Sequence, residues 1–356
     1  MTGLIFMPEK NAKTLRWEKS GQFTLEAQQG EEQGDLFICE IVNWLVKDDI
    51  ASMEFPLFSL AKQKDTKTRE YRRGNKTVRI IPSSVGAATV FDKDLLLYIG
   101  SQIVEARNKG LMPSRSAKIS SIDFLLGTER GDGAGSYERI INMLRRLRGT
   151  TIETNIPTGE KKVTQTDGFS MIDTYTVLSG KKGSRKIVDK KTGKSEEVET
   201  EKVFSFTVKI SEWLYNGLMN FEVLTLDRGY FKLSSPIERR LYEIARKHCG
   251  DQPIWKINID LLAEKIGTSR ERFKVRQDIR QAIQADALPQ YRVALDPSAA
   301  PDDVVFYTRN TAKLSMELIR TNCARWFQTL ERYDNVEKWR KQKVLPASVL
   351  PANADV

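Results

Sequence analysis

Cysteine, histidine and long apolar runs are scarce in this chain of 356 residues. The cysteines, Cys39, Cys249 and Cys323, form no C-x-x-C pair, which argues against a disulfide framework and against a structural zinc site. The single histidine, His248, excludes metal clusters of several histidines and the His-apolar-His site of rolling-circle nucleases. The longest unbroken apolar run, Leu95 to Ile99, falls far short of the ~20 residues that span a membrane. Leu4-Ile5-Phe6-Met7 is interrupted by Pro8-Glu9, too early for a signal segment. A soluble cytoplasmic protein without a membrane partner is therefore expected. Gly131-Asp132-Gly133-Ala134-Gly135 has no Gly-Lys-Ser/Thr after it and no strand close before it. It reads as a turn with Ser136 as N-cap, not as a phosphate cradle. No carboxylate cluster beside a tyrosine stands out, so the expectation is a non-enzyme: no catalytic residue, no metal and no cofactor.

What is present suits a polyanionic partner. Apolar residues make up 40% and charged residues 29%, enough to bury a core in about two domains. Lys and Arg total 57 against 47 for Asp and Glu, a formal net charge of +10. Clustered cations attract phosphate, which makes double-stranded DNA the natural candidate.

Residues 1–34 are polar with little periodicity and read as a flexible arm. A first block covers 35–180. Residues 181–201 run from KKGSRKIVDKKTGK to SEEVETE, basic then acidic, as a solvated hairpin or a linker would. A second block covers 202–310. An amphipathic helix from about Ala312 to Lys341, with a tail after it, fills 311–356. His248 and Cys249 close a helix, the first as a cation suited to the helix dipole, the second as a packing residue.

Both blocks show one order of elements. In the first, a helix ending near Gly110 precedes Lys118-Ile119-Ser120, a short helix Ile122 to Leu126 and a longer one from Ser136 to Arg148, then strand-like TTIETNI and FSMIDTYTVL. In the second, a helix Pro236 to Lys247 precedes Trp255-Lys256-Ile257-Asn258, a helix Ile259 to Ile266, a longer one from Arg270 to Ala285, then QYRVAL and DVVFYTR. Helix, strand, helix, turn, helix, hairpin is the order of a winged helix-turn-helix. The expected fold is α+β, two tandem winged helix-turn-helix domains with a flexible N-terminal arm and a C-terminal helix.

Helical phase separates core from surface at about 100° per residue. Tyr137, Ile140, Ile141, Leu144 and Leu147 share one side of the first long helix, and Glu138, Arg139, Asn142, Arg145 and Arg146 the other. In the second, Val275, Ile279, Ala282 and Ile283 face inward, with Arg270, Phe273, Lys274, Gln277, Arg280 and Gln281 outward. Arg reads guanine, Asn and Gln read adenine, and Phe273 suits a thymine methyl. Arg148, Lys161, Lys162 and the basic run at 181–194 are expected on phosphates. The DNA-binding set is thus Arg139, Asn142, Arg145, Arg146, Arg148, Lys161, Lys162, Arg270, Phe273, Lys274, Gln277 and Arg280. Any surface helix shows a charged outer face; the repeat of the arrangement and the net charge favour DNA.

Met53-Glu54-Phe55-Pro56-Leu57-Phe58-Ser59-Leu60, Ala88-Thr89-Val90-Phe91-Asp92-Lys93-Asp94, RLRGTTIETNIPTG (146–159), SEWLYNGL (211–218) and YFKLSSPIERRLYEIARKHCG (230–250) carry a family likeness. The chain resembles the plasmid replication initiator protein A family over about residues 50–310. The resemblance implies a non-enzymatic initiator that binds repeated origin sites (iterons), helps to open an A·T-rich element, and takes part in copy control. It implies partnership with the host replication initiator and helicase, and a homodimer that represses its own promoter. Two unlike reading helices in one chain predict half-sites about 10 bp apart on one duplex face, arranged asymmetrically. A dedicated winged-helix repressor is the alternative, distinguished by a palindromic operator. A division of labour, with the first block dimerising through spare strand edge at Met53 to Pro82, also stays open.

Overall fold

The computed structural model describes residues 13–17, 23–27, 37–38, 45–61, 63–131, 135–156, 166–188, 195–250, 252–268, 270–296 and 302–330. Side chains are described from residue 45 onward, outside 181–188 and 195–202. The chain forms two compact units, Met1–Leu36 and Phe37–Val356. In the first, β1 (Lys13–Trp17) and β2 (Phe23–Ala27) pair antiparallel, so the stretch expected as an arm contains a hairpin. Alternation in KTLRW and FTLEA is the local reason.

The second unit is α+β. A short strand β3 (Phe37–Ile38) is followed by β4 (Val46–Asp49), α1 (Ile50–Glu54) and the hairpin β5 (Arg69–Arg73) and β6 (Lys76–Ile81). Next comes α2 (Lys93–Asn108), buried on nearly every side, the charged Lys93 and Asp94 of its first turn included. Beyond it lie β7 (Ser116–Ser120), α3 (Ser121–Gly127), α4 (Ser136–Gly149), β8 (Thr151–Thr154) and β9 (Asp167–Ser170). The long strands β10 (Ile172–Val188) and β11 (Ser195–Ile210) pair antiparallel, and β11 also pairs with β7. After them stand α5 (Glu212–Met219), β12 (Val223–Leu226), a 3-10 turn at Arg228–Lys232 and α6 (Pro236–Cys249). The last series is β13 (Ile254–Asn258), α7 (Ile259–Ile266), α8 (Arg272–Ala285), β14 (Tyr291–Asp296) and β15 (Asp303–Thr308), with sheet order β13-β15-β14.

Three sequence expectations change here. The segment TTIETNI supplies no wing strand: β8 joins β6 and β9 in a separate sheet of order β5-β6-β8-β9. The strand pair that closes on β7 is β10–β11 instead, and it runs straight across the block boundaries at 180 and 202. The C-terminal helix is α9 (Thr311–Arg320), broken at Asn322, whose φ of 55° lies in the left-handed region, and helical again at 324–330. Residues 331–341 of the expected helix lie outside the described residues.

One hydrophobic core runs through both blocks, from Leu97, Tyr98 and Phe124 to Leu241, Ile259 and Ile279. The blocks are also joined by β12 pairing with β4. Ile257, Ile259, Leu262 and Ile266 bury the inner side of β13 and α7, while Val275, Ile279, Ala282 and Ile283 bury α8 at helical spacing.

Candidate nucleic-acid interface

α4 enters from Gly135, whose φ of 88° suits glycine alone. Ser136 is the first helical residue and not the cap; its hydroxyl donates to the Gly131 carbonyl at 2.6 Å. Met143 joins Ile140, Leu144 and Leu147 in the buried stripe. On the outside, Arg139 donates to Ser136 Oγ at 2.8 Å and Arg145 to Asn142 Oδ1 at 3.3 Å. Arg139, Arg145 and Arg148 are exposed and Asn142 is half-buried. Arg146 is placed differently. Its Nε and Nη2 both donate to the buried carboxylate of Asp92, at 2.7 Å each. Those hydrogen bonds raise the Arg146 pKa against the effect of burial. Arg146 therefore seats α4, and the outward arc consists of Arg139, Asn142, Arg145 and Arg148.

On α8, Phe273 is 71% exposed, an unusual place for a phenyl ring. Lys274 and Gln277 are exposed beside it, and Arg280 is half-buried. Lys274 Nζ stands 3.8 Å from Glu271. Arg270 precedes the helix and pairs with Asp278. Two further cations escaped the helical-phase reading: Arg272 pairs with Asp260 at 2.5 Å and Arg276 with Asp302 at 2.5 Å. The first turn of α8 holds Arg272 and Lys274 and no acid. Cations at that end oppose the helix dipole by about 0.3–1 kcal/mol each, a cost that a bound phosphate would offset. Lys161 and Lys162 lie outside the described residues, and the side chains of the 181–194 run do too.

A groove of about 760 Å³ opens beside the first turn of α4. Lys64, Arg130, Arg139 and Lys232 stand on its walls, with Asp65 and Asp92 among them. Among the described residues no group of three metal-ligating side chains occurs, and no helix is long and apolar enough to cross a membrane.

A charged hub is buried where α2 meets α6. Lys93 donates to Asp48 at 2.7 Å and to Glu243 at 3.0 Å, and its Nζ lies 5.6 Å from the Phe58 ring centre. Tyr230 donates to the same Glu243 oxygen at 2.8 Å. Arg240 donates to the other at 2.9 Å and to the carbonyls of Ser52 and Lys265. Asp94 accepts from Arg130 at 2.8 Å and from Arg239, whose guanidinium lies 4.5 Å over the Phe91 ring. Burial alone would discharge such groups. At Lys93 the carboxylates of Asp48 and Glu243 outweigh it and raise the pKa, and Lys93 with Arg240 holds Glu243 below the usual carboxylate range, whereas at Asp48 burial wins and pushes the pKa up to about 7. Nearby, His248 stacks on Trp255 with ring centres 4.3 Å apart. Burial, with Lys265 adding to it, brings its pKa down to about 4. It is neutral at pH 7, which corrects its reading as a cation for the helix end. Cys249 is a buried packing residue, its thiol pushed up to about 12.

The profile of the family described as replication initiator protein A matches residues 47–293. The chain belongs to this family. A protein of Wigglesworthia glossinidia brevipalpis named "Putative replication protein" is 35% identical over 248 residues, 69% of this chain and 84% of that one. The crystal structure of domains 2 and 3 of RctB shares the fold, with a TM-score of 0.51 at 12% identity, over 72% of this chain and 95% of that one. In this member of the replication initiator protein A family, three of the five segments that carry the likeness converge on the hub. Phe58 comes from 53–60, Asp92, Lys93 and Asp94 from 88–94, and Tyr230, Arg239, Arg240 and Glu243 from 230–250. The outer faces of α4 and α8 lie largely outside those segments.

Proposed function

We propose that this chain is a plasmid replication initiator that reads duplex DNA with two winged helix-turn-helix units. The first consists of α2, β7, α3, α4 and the β10–β11 wing; the second of α6, β13, α7, α8 and the β14–β15 wing. The observation that carries this reading is the duplicated order, with each longer helix burying one apolar stripe and presenting Arg plus an amide outward. Arg139, Asn142, Arg145 and Arg148 meet one half-site, and Phe273, Lys274, Gln277 and Arg280 the other, with Arg270 at the edge. Arg146 contributes by orienting α4 on Asp92. The unlike faces favour asymmetric repeats over a palindrome, and hence iterons over a repressor operator. Opening of adjacent A·T-rich DNA then draws on binding free energy and on the host initiator and helicase, without hydrolysis by this chain. A homodimer acting on its own promoter, and work in the cytoplasm, belong to the same reading.

Footprinting of the full-length protein on its plasmid origin tests it. Regular protection of direct repeats, with affinity falling by about 10³–10⁵ between 50 and 200 mM salt, is the expected result. A single protected palindrome points to the repressor, and a flat salt response removes the phosphate contacts from the account.

A further inference from the structure

The hub touches neither reading face directly, yet it gathers charge where charge contributes little to stability. Desolvation of a buried ion pair offsets most of its attraction, and apolar substitutes are often as stable. Lys93, Asp48, Asp94, Arg239, Arg240 and Glu243 are nevertheless each no more than 3% exposed. What such contacts have over apolar ones is direction, because hydrogen bonds to charged groups fix distance and angle together. They also run from α4 to the C-terminal end of α7, the helix that precedes α8. Arg146 on α4 grips Asp92; Lys93, the next residue, grips Glu243 on α6. Arg240, bonded to Glu243, holds the Lys265 carbonyl at the end of α7. Gly267 then turns the chain toward α8, and its own carbonyl accepts from Tyr71 of β5 at 3.3 Å.

We propose that Lys93 is a positioning residue that sets the orientation of α4 relative to α8, so that the protein accepts its two half-sites at one spacing only. This rests on the reading of α4 and α8 as the DNA-facing helices. One added base pair carries the second half-site about 3.4 Å along the duplex and a tenth of a turn around it. A rigid reader cannot follow that shift; a loosened one can.

The test starts with full-length wild-type protein selecting duplexes from a randomised pool. The selected site is then remade with one or two base pairs inserted or removed midway between the protected segments. Affinities and thermal melts are measured for the wild type and two charge-balanced variants, Lys93→Met with Asp48→Asn and Lys93→Met with Asp48→Leu, each of which leaves Glu243 paired with Arg240 and Tyr230. Wild type is expected to lose about 10–100-fold in affinity for a one-base-pair change, the scale of a mismatched contact. Both variants are expected to lose at most a third as much and to melt close to wild type. Indifference of the wild type to spacing overturns the proposal, as do variants that remain equally strict. Variants that melt far below wild type overturn it too, because the hub then serves stability and not geometry. A wild type that enriches no duplex defeats the functional reading itself, and does so before any variant is made.

Discussion

α4 and α8 hold matching places in the chain, yet different forces seat them. α4 buries Ile140, Met143, Leu144 and Leu147 and adds a bidentate grip by Arg146 on Asp92, an acid 3% exposed. α8 buries Val275, Ile279, Ala282 and Ile283, and the cations on and just before it pair with acids nearer the surface, Asp260, Asp278 and Asp302. Of these, only the Arg272–Asp260 pair is exposed on both sides and contributes about 0–1 kcal/mol, so on the proposed reading a phosphate would displace that acid at little cost. The buried pair does not exchange. On the proposed reading, an arginine on α4 or α8 is thus available to DNA or committed to the fold according to the burial of its acid partner.

The sharpest way to break the comparison is at the hub. Lys93→Met alone strands Asp48 and Glu243 in the core and is expected to lower folding stability by about 3–5 kcal/mol in chemical denaturation. A loss under about 1 kcal/mol would mean that the pair is not seated as described. Gly267→Ala attacks the α8 side. Gly267 has φ +85°, and an added Cβ would lie 2.4 Å from Pro56 Cβ, so a loss of about 1–3 kcal/mol in stability is expected. Unchanged stability there would show that the α7–α8 turn relaxes freely.

The pair Arg146→Ala and Arg145→Ala separates seating from reading on one helix. The first leaves buried Asp92 without its partner and is expected to lower stability by about 1–3 kcal/mol. The second is expected to leave stability within about 0.5 kcal/mol while weakening duplex binding by about 1–3 kcal/mol. Reversal of the two patterns in parallel melting and binding assays would exchange their roles.

The smallest effect is a pH slope. His248 titrates near 4 in the folded chain against 6.5 for the free side chain. Between those values the unfolded chain binds more protons, so stability falls as acid is added from pH 6.5 toward 4. His248→Gln should flatten that slope in denaturation curves taken across the window. An unaltered slope would assign it to carboxylates.

Much of this was legible in the residues. Ile259–Ile266 forms the expected helix with the expected bounds, and the apolar stripe of α8 is the one that phase selects. The family likeness was legible as well. Less so was the hub, although its residues stand inside the likeness: nothing local in Phe91-Asp92-Lys93-Asp94 says that three successive charges are buried.

The order of the helices in the two repeated series, most of the inner faces of α4 and α8, and the family follow from the residues alone, because helical period is a local property. Only the tertiary structure decided which strands pair and where long charged side chains end. β11 closes on β7 across the first block, and Arg146 meets Asp92 from 54 positions away. A helix fixes where an arginine starts; the position of a distant carboxylate decides whether it turns toward solvent or into the core.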